Sequence, residues 1–256
     1  MRTAEIAAPL RRGSFFGLSA FFQTELRVQF HEGLAILTST VVQAVLLVFV
    51  AVLDPSLLPI ALVGAIIYSM FTIGNRLLNE AAYLRIDHRL NELYLASPLT
   101  AEAYFLGMAG GVLVAYLPPT LVLVVLTAIV THLSPFTVLV LFGCCVAVWA
   151  FSASVGYVFS TFFRDNRAIW AYSALFFNLV GVLLPVFYPL EIFPQRLQPL
   201  ALAVPPSAAA ALVQWSMDPT ILSFPSVLAT ALGLAAISVG MLLFAIYWAR
   251  KTVRAD

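Results

Sequence analysis

The sequence predicts an all-α polytopic membrane protein with six transmembrane helices. The 256 residues are 62% hydrophobic and only 10% charged, whereas a soluble domain carries roughly 25% charged residues. The apolar residues form runs long enough to span a bilayer as helices, which takes about 20 residues. The charged residues are concentrated between those runs. We therefore expect a single transmembrane domain over residues 1–256, with lipid as its surrounding solvent.

The N-terminal residues 14–32 predict an amphipathic helix that lies in the membrane interface. At about 100° per residue, Phe15, Leu18 and Phe22 fall on one side of such a helix, and Gln23 and Arg27 fall on the other. A helix with one apolar and one polar face is typical of the interface between lipid and water rather than of a span.

Six apolar runs follow within residues 33–249. The expected spans are 33–53, 57–74, 103–130, 136–162, 168–186 and 225–249. Asp54-Pro55-Ser56 predicts a tight turn after the first span. Pro118-Pro119 predicts a kink or break in the third, because proline removes a backbone donor.

Between the fifth and sixth spans, prolines divide residues 187–224 into pieces too short to span the bilayer. Short re-entrant or external helices are expected here. Such pieces are tolerated at membrane depth only where protein or water satisfies their backbone groups.

The distribution of basic residues predicts the orientation. Six spans place both termini on one side of the membrane. All 13 Lys and Arg residues except Arg196 fall on that side, and short cytoplasmic loops carry the excess of positive charge. We expect a multi-pass protein of the plasma (inner) membrane with both termini cytoplasmic. The net charge of +1 gives no electrostatic case for a nucleic-acid partner.

A polar stretch, residues 75–106, separates the second and third spans. It holds seven charged residues, namely Arg76, Glu80, Arg85, Asp87, Arg89, Glu92 and Glu102. Residues 79–97 predict a helical region in which the apolar residues share one face and the charged residues face away. The apolar face holds Tyr83, Ile86, Leu90, Leu93 and Tyr94, and the charged face holds Arg85, His88, Arg89 and Glu92. Ser97-Pro98 ends this helix, and Thr100 is placed to cap the next one.

The predicted spans contain no Asp, Glu, Lys, Arg or His, whereas ion-coupled carriers usually need an ionisable group near the membrane centre. The sequence shows no catalytic constellation and no metal-ligand spacing among its three histidines. It also lacks the G-x-x-x-x-G-K-[ST] phosphate-binding motif. We expect a protein that is not itself an enzyme and binds no cofactor or metal, so active transport would draw its free energy from another protein.

Two stretches carry a resemblance to a known family. One is RLNELYLASPLT at residues 89–100, leading to Gly107, and the other is PVFYPLEIFPQRLQ at residues 185–198, followed by Pro205-Pro206. At these positions in this topology, the chain resembles the ABC-2 family of ABC-transporter permeases over essentially its whole length. It departs from the family where a glycine is usual near His88 or Arg89.

The resemblance implies a six-helix half-transporter of an ATP-driven exporter. It implies a dimer, expected to be a homodimer, and two copies of a cytoplasmic ABC ATPase subunit that hold the ATP and Mg. The family's second-to-third loop carries the helix that sits in a cleft of the ATPase, and this role falls on residues 83–94. A second, smaller contact is expected in the loop between the fourth and fifth spans. The expected ATPase-coupling residues are Tyr83, Arg85, Ile86, His88, Arg89, Leu90 and Glu92, with Arg164 and Arg167 from that loop.

Four residues inside the spans are candidates for the translocation path. Gln43 and Asn178 are large uncharged polar side chains, which more often bond a neighbouring helix. Tyr172 and Phe176 could line an apolar cavity. The alternative functions are a stand-alone secondary transporter or channel, and a membrane enzyme acting on lipid. The apolar spans suit amphipathic drugs, lipids and lipid-linked glycans equally well.

Overall fold

The computed structural model describes residues 22–23, 33–86, 100–131, 133–163 and 165–253. Every regular element in these ranges is helical. The helices are α1 (Gly33–Leu53), α2 (Leu58–Ile86), α3 (Ala101–Thr131), α4 (Pro135–Ser160), α5 (Asn166–Leu183), α6 (Gln198–Leu202), α7 (Pro205–Met217) and α8 (Phe224–Val253). Short 3-10 turns cover Pro55–Leu57, Leu190–Ile192 and Gln195–Leu197. The predicted interfacial helix, apart from residues 22–23, lies outside the described residues, as do residues 87–99 of the polar stretch.

Within the described residues, four helices are long and apolar enough to cross a membrane, and the chain is accordingly a helical membrane protein. They are Pro55–Ile86, Ala101–Thr131, Pro135–Ser160 and Phe224–Thr252. A fifth is reached if the segments Gln195–Leu202 and Pro205–Met217, which meet at 105°, count as one broken span. The prediction of an all-α membrane fold is confirmed, and the number six remains a prediction.

Helix α2 is the centre of the bundle. Its residues are buried without interruption from Ala61 to Phe71, and it packs against α1, α3, α4, α5 and α7. A helix that is apolar on all sides must be surrounded by other helices or by lipid, and around α2 the neighbours are helices. By contrast, α1, α4 and α8 expose apolar side chains such as Val52, Leu139 and Leu232, as expected of surfaces that meet lipid.

Helices α2 and α4 run in the same direction at close range. The Ser152 hydroxyl donates to the Met70 carbonyl at 2.9 Å, and one turn further along both helices Gly156 lies against Gly74. A Cβ atom added at Gly74 would come 2.2 Å from the Ser152 carbonyl oxygen. Small residues at such a crossing allow two backbones to approach in lipid. The parallel direction brings the C-terminal ends of both helices to the same end of the bundle.

The turns that bound these helices follow the sequence signals. Asp54 Oδ1 accepts hydrogen bonds from the Ser56 backbone N–H at 2.9 Å and from its hydroxyl at 2.6 Å. The Thr100 hydroxyl accepts from the Ala103 N–H at 3.2 Å and caps α3. Both predictions are confirmed. At Pro118-Pro119, where a kink or break was predicted, the helix is not broken, because α3 continues through both prolines to Thr131.

Short helices occupy the proline-rich segment, as predicted. Helix α7 is buried from Pro205 to Gln214 between α2, α4 and α8. Its run of four alanines, residues 208–211, suits this position because small side chains let three neighbouring helices approach. Length and composition alone allow α6 and α7 to form either a broken span or a re-entrant loop.

Candidate functional site

One end of the bundle collects most of the charged residues that the structure describes. We call it the Arg85 end and define it by the end of α2 (residues 76–86), the start of α3 (101–104), the turn 160–163 with Asp165, and the end of α8 (247–253). The sequence predicts that this end lies in the cytoplasm.

Helix α2 extends twelve residues beyond the end predicted for the second span, which was residue 74. It therefore contains ionisable residues that the prediction placed outside the spans. Arg76 and Glu80, one turn apart, form an ion pair at 3.4 Å, and Glu80 is only 6% exposed. The core-facing side of the helix stays apolar after Gly74, with Leu77 and Leu78 buried. This packing stabilises the helix beyond Gly74. The charged segment is thus continuous with the central helix.

Arg85 binds the end of α4. Its guanidinium donates to the carbonyl oxygens of Ser160, Thr161 and Phe163, with a distance of 2.9 Å to Thr161. The last carbonyls of a helix have no intrahelical donor, and they carry the negative end of the helix dipole. A guanidinium offers five donors in one plane together with a positive charge. Arg85 therefore satisfies and neutralises the end of a neighbouring helix.

The same turn is held from α8. The Trp248 indole N–H donates to the Thr161 hydroxyl at 2.9 Å, and the Trp248 ring lies 5.7 Å from the Phe162 ring between centroids. Lys251 lies 5.5 Å above the Trp248 ring, within the range of a cation–π contact. Side chains from two other helices thus meet at the end of α4.

An ion pair connects α8 to the start of α3. Arg250 donates to Glu102, and their side chains are 59% and 28% exposed. Exposed pairs of this kind contribute little to stability, about 0–1 kcal/mol. The pair joins α8 to α3 at the Arg85 end, but it contributes little to holding these helices together.

The structure describes only some of the predicted ATPase-coupling residues, and these lie in different surroundings. Tyr83 is 47% exposed and Ile86 packs against the core. Arg85 was predicted to face away from the spans, and it points instead to the end of α4. His88, Arg89, Leu90, Glu92 and Arg164 lie outside the described residues. The backbone of Arg167 belongs to the first turn of α5, and its side chain is outside the described part.

The three predicted path residues whose side chains are described lie in different surroundings. Gln43 is buried, and its Oε1 accepts from the Ser69 hydroxyl at 3.0 Å, so it joins α1 to α2. Tyr172 is 59% exposed and stacks on Phe163 with centroids 5.5 Å apart. Phe176 packs among aromatic rings, including Phe159 at 5.7 Å. The side chain of Asn178 lies outside the described part.

Sequence reasoning missed the contacts at the turn 160–163. Neither Trp248 nor Thr161 was among the predicted site residues. The one signal was chemical: a tryptophan N–H usually needs an acceptor when it is partly buried. The position of that acceptor depends on packing and not on local sequence.

Two polar side chains of α7 are buried and lack a hydrogen-bond partner in the part of the chain that is described. They are Ser207 and Gln214, which lie two turns apart and so share one face of the helix. An unpaired polar group away from water is costly in lipid. A water molecule or another polar group would be needed to satisfy these two side chains.

An open apolar groove of about 300 Å³ lies between α4, α7 and α8. Gly143 and Cys144 form one wall, Leu212 and Trp215 a second, and Ala231 belongs to the third. Cys144 and Cys145 are both free thiols. Among the described residues, no group of three or more His, Cys, Asp or Glu is arranged to hold a metal ion.

Searches of protein-family models and of curated proteins found no match to this chain.

Proposed function

We propose that the chain is the permease subunit of an ATP-driven exporter of the ABC-2 type. Two copies would form the translocation path, each with six spans and cytoplasmic termini in the plasma membrane. Separate ATPase subunits would bind and hydrolyse MgATP and act on the permease through residues 83–94. The turn 160–167 would provide the smaller contact.

The continuity of α2 is the observation that carries the proposal. The charged segment of the polar stretch begins inside the central helix, which is buried along most of its length and packs against five others. A force applied to the end of α2 is therefore applied to the core of the bundle. A separate ATPase can act on the permease only through a rigid element that both proteins contact. The sequence has no phosphate-binding loop that would let the chain use ATP itself.

A stand-alone carrier is the second candidate, and Glu80 is the observation that favours it. Buried carboxylates in spanning helices often mark proton or ion pathways. The pair that Glu80 forms with Arg76 favours a structural role, because both charges lie on adjacent turns of one helix. The same experiment decides between the two candidates.

The test is isolation of the tagged chain from its own host in mild detergent, followed by reconstitution in liposomes. The proposal expects a P-loop ATPase to co-purify and to hydrolyse ATP in the reconstituted complex. Arg89→Glu should weaken that association while the chain stays folded. Arg196→Glu makes the same charge change on the side predicted to be external, and it should leave the association intact.

Solute flux through liposomes that contain only the purified chain would support a stand-alone transporter or channel instead. Lipid turnover by the purified chain would support the enzyme alternative. Isolation without any P-loop ATPase, together with unchanged behaviour of Arg89→Glu, would overturn the proposal.

A further inference from the structure

The turn at the end of α4 depends on a side chain from another helix. Its carbonyl groups at Ser160, Thr161 and Phe163 all accept from Arg85. Within the turn itself, the backbone N–H groups of Thr161 and Phe162 already bond to Val158 and Phe159. Among the described residues, no backbone N–H outside the helices donates to the carbonyls of Thr161 or Phe163, and the guanidinium supplies a donor to each.

The direction of the two helices explains why one arginine can do this. Since α2 and α4 are parallel, their C-terminal dipole ends lie side by side, and two negative ends repel each other. Arg85 is in the last turn of α2 and reaches the last carbonyls of α4. A single positive charge therefore stabilises both ends and bridges them.

We propose that Arg85 is a positioning residue that fastens the end of α2 to the turn 160–163, so that these two segments move as one unit. Residues 87–94 continue from the first segment, and Arg164 and Arg167 follow the second. The link to ATPase action rests on the proposed function, whereas the fastening itself does not.

The consequence is that a displacement at either segment reaches both α2 and α4. These helices share the closest backbone contact described above, at Gly74 and Gly156. A lysine cannot replace Arg85 fully, because an ammonium is a point charge without the planar fork of donors.

The experiment measures the distance between nitroxide labels at Tyr83→Cys and Phe162→Cys, in full-length protein in which Cys144 and Cys145 are replaced by alanine. Both label positions are exposed, at 47% and 62%. The parent should give one narrow distance distribution. Arg85→Met keeps an unbranched stem but removes the charge and all donors, so the distribution should broaden about twofold or more, as in local opening.

Two further variants complete the set. Arg85→Lys should give an intermediate width, and it replaces the methionine variant if that protein does not fold. Arg250→Gln removes one positive charge from the same end and breaks the Glu102 pair without touching the turn, so its distribution should match the parent. An unchanged width in both Arg85 variants would overturn the fastening.

A second measurement separates the fastening from the proposed function. With the co-purified ATPase bound, Arg85→Met should lose the shift of the labels that ATP and vanadate produce in the parent. If no ATPase binds the parent while Arg85→Met still broadens the distribution, the proposed function fails and the fastening stands. If Arg85→Met broadens the distribution and the label shift persists unchanged, the two segments are not coupled through Arg85.

Discussion

Gly156 of α4 lies so close to Gly74 of α2 that a Cβ atom added at Gly156 would stand 2.0 Å from the Gly74 carbonyl oxygen. No side chain can occupy that space unless the backbones separate. The contact lies one turn beyond the hydrogen bond from Ser152 to Met70. It fixes the spacing of the two parallel helices whose ends Arg85 joins.

We predict that Gly156→Ala destabilises the protein by about 1–3 kcal/mol, the usual cost of overpacking a closely packed interior. Gly143→Ala is the matched control on the same helix, since apart from the backbone of α4 itself no described atom lies within 4 Å of its added Cβ. The control should be neutral or slightly stabilising, because alanine favours helix over glycine. Unfolding midpoints in detergent measure both variants, and equal midpoints would show that α2 and α4 are not in close contact.

The hydrogen bond between Gln43 and Ser69 leads to a second prediction. Both residues are buried, and the bond joins α1 to α2. In a double-mutant cycle with Gln43→Leu and Ser69→Ala, we expect a coupling energy of about 0.6 kcal/mol, the average for such bonds in membrane proteins. Unfolding free energies of the four proteins provide the measurement.

The same residue tests the predicted path. Because Gln43 is 6% exposed, Gln43→Cys should resist a small water-soluble thiol reagent in a protein without other cysteines. Rapid modification, combined with zero coupling to Ser69, would instead place residue 43 on a water-filled path.

The turn at Asp54 predicts a dependence of stability on pH. Hydrogen bonds from the Ser56 hydroxyl and then from its backbone N–H lower the pKa of Asp54 below its usual 3.8, while slight desolvation opposes them. The lowered pKa means that the ionised carboxylate stabilises the folded state. This contribution is present above the unfolded pKa and is lost as pH falls through the folded pKa.

The measurement compares the thermal unfolding midpoints of the wild type and Asp54→Asn between about pH 6 and pH 3, a range that spans the ordinary carboxylate pKa. The wild type should be the more stable at the upper end, and the difference should shrink on acidification. Asp218 provides a second example, since its pKa is lowered by hydrogen bonds from the Thr220 backbone and hydroxyl. A difference that stays constant with pH would contradict the assignment for either turn.

Local signals in the sequence predicted the local features well. Composition predicts the membrane class, and the turn at Asp54 and the cap at Thr100 use side chains within three residues of the groups they bind. The end of α2 was not predictable in this way. A polar sequence after Gly74 is compatible with a loop or a helix, and only the burial of Leu77 and Leu78 against neighbouring helices decides between them.

The site was less predictable because its contacts are remote in sequence. Arg85 bonds to carbonyls 75 to 78 positions away, and Trp248 reaches Thr161 across 87 positions. A helical periodicity assigns Arg85 to a polar face, but it cannot show that another helix ends beside that face. Backbone carbonyls are the acceptors in this contact, and they leave no trace in side-chain patterns.

The orientation of the Arg85 end is the last prediction. We expect Lys251→Cys, at the C-terminal end of α8, to react with an impermeant maleimide only after cells are opened. Ser223→Cys, just before the other end of α8, should react in intact cells. Both positions are exposed, and Cys144 and Cys145 would be replaced by alanine in each protein. The reason is the asymmetry of basic residues, which predicts that the Arg85 end lies in the cytoplasm.

Ala210→Cys is the control for burial, because Ala210 is fully buried in α7 and should not react in either preparation. The reverse labelling pattern would place the Arg85 end outside the cell, where an ATPase that uses cytoplasmic ATP cannot reach it. That result would contradict ATP-driven coupling through residues 83–94. The contact between Arg85 and the end of α4 would still stand, since it depends on the packing of the bundle and not on its orientation in the membrane.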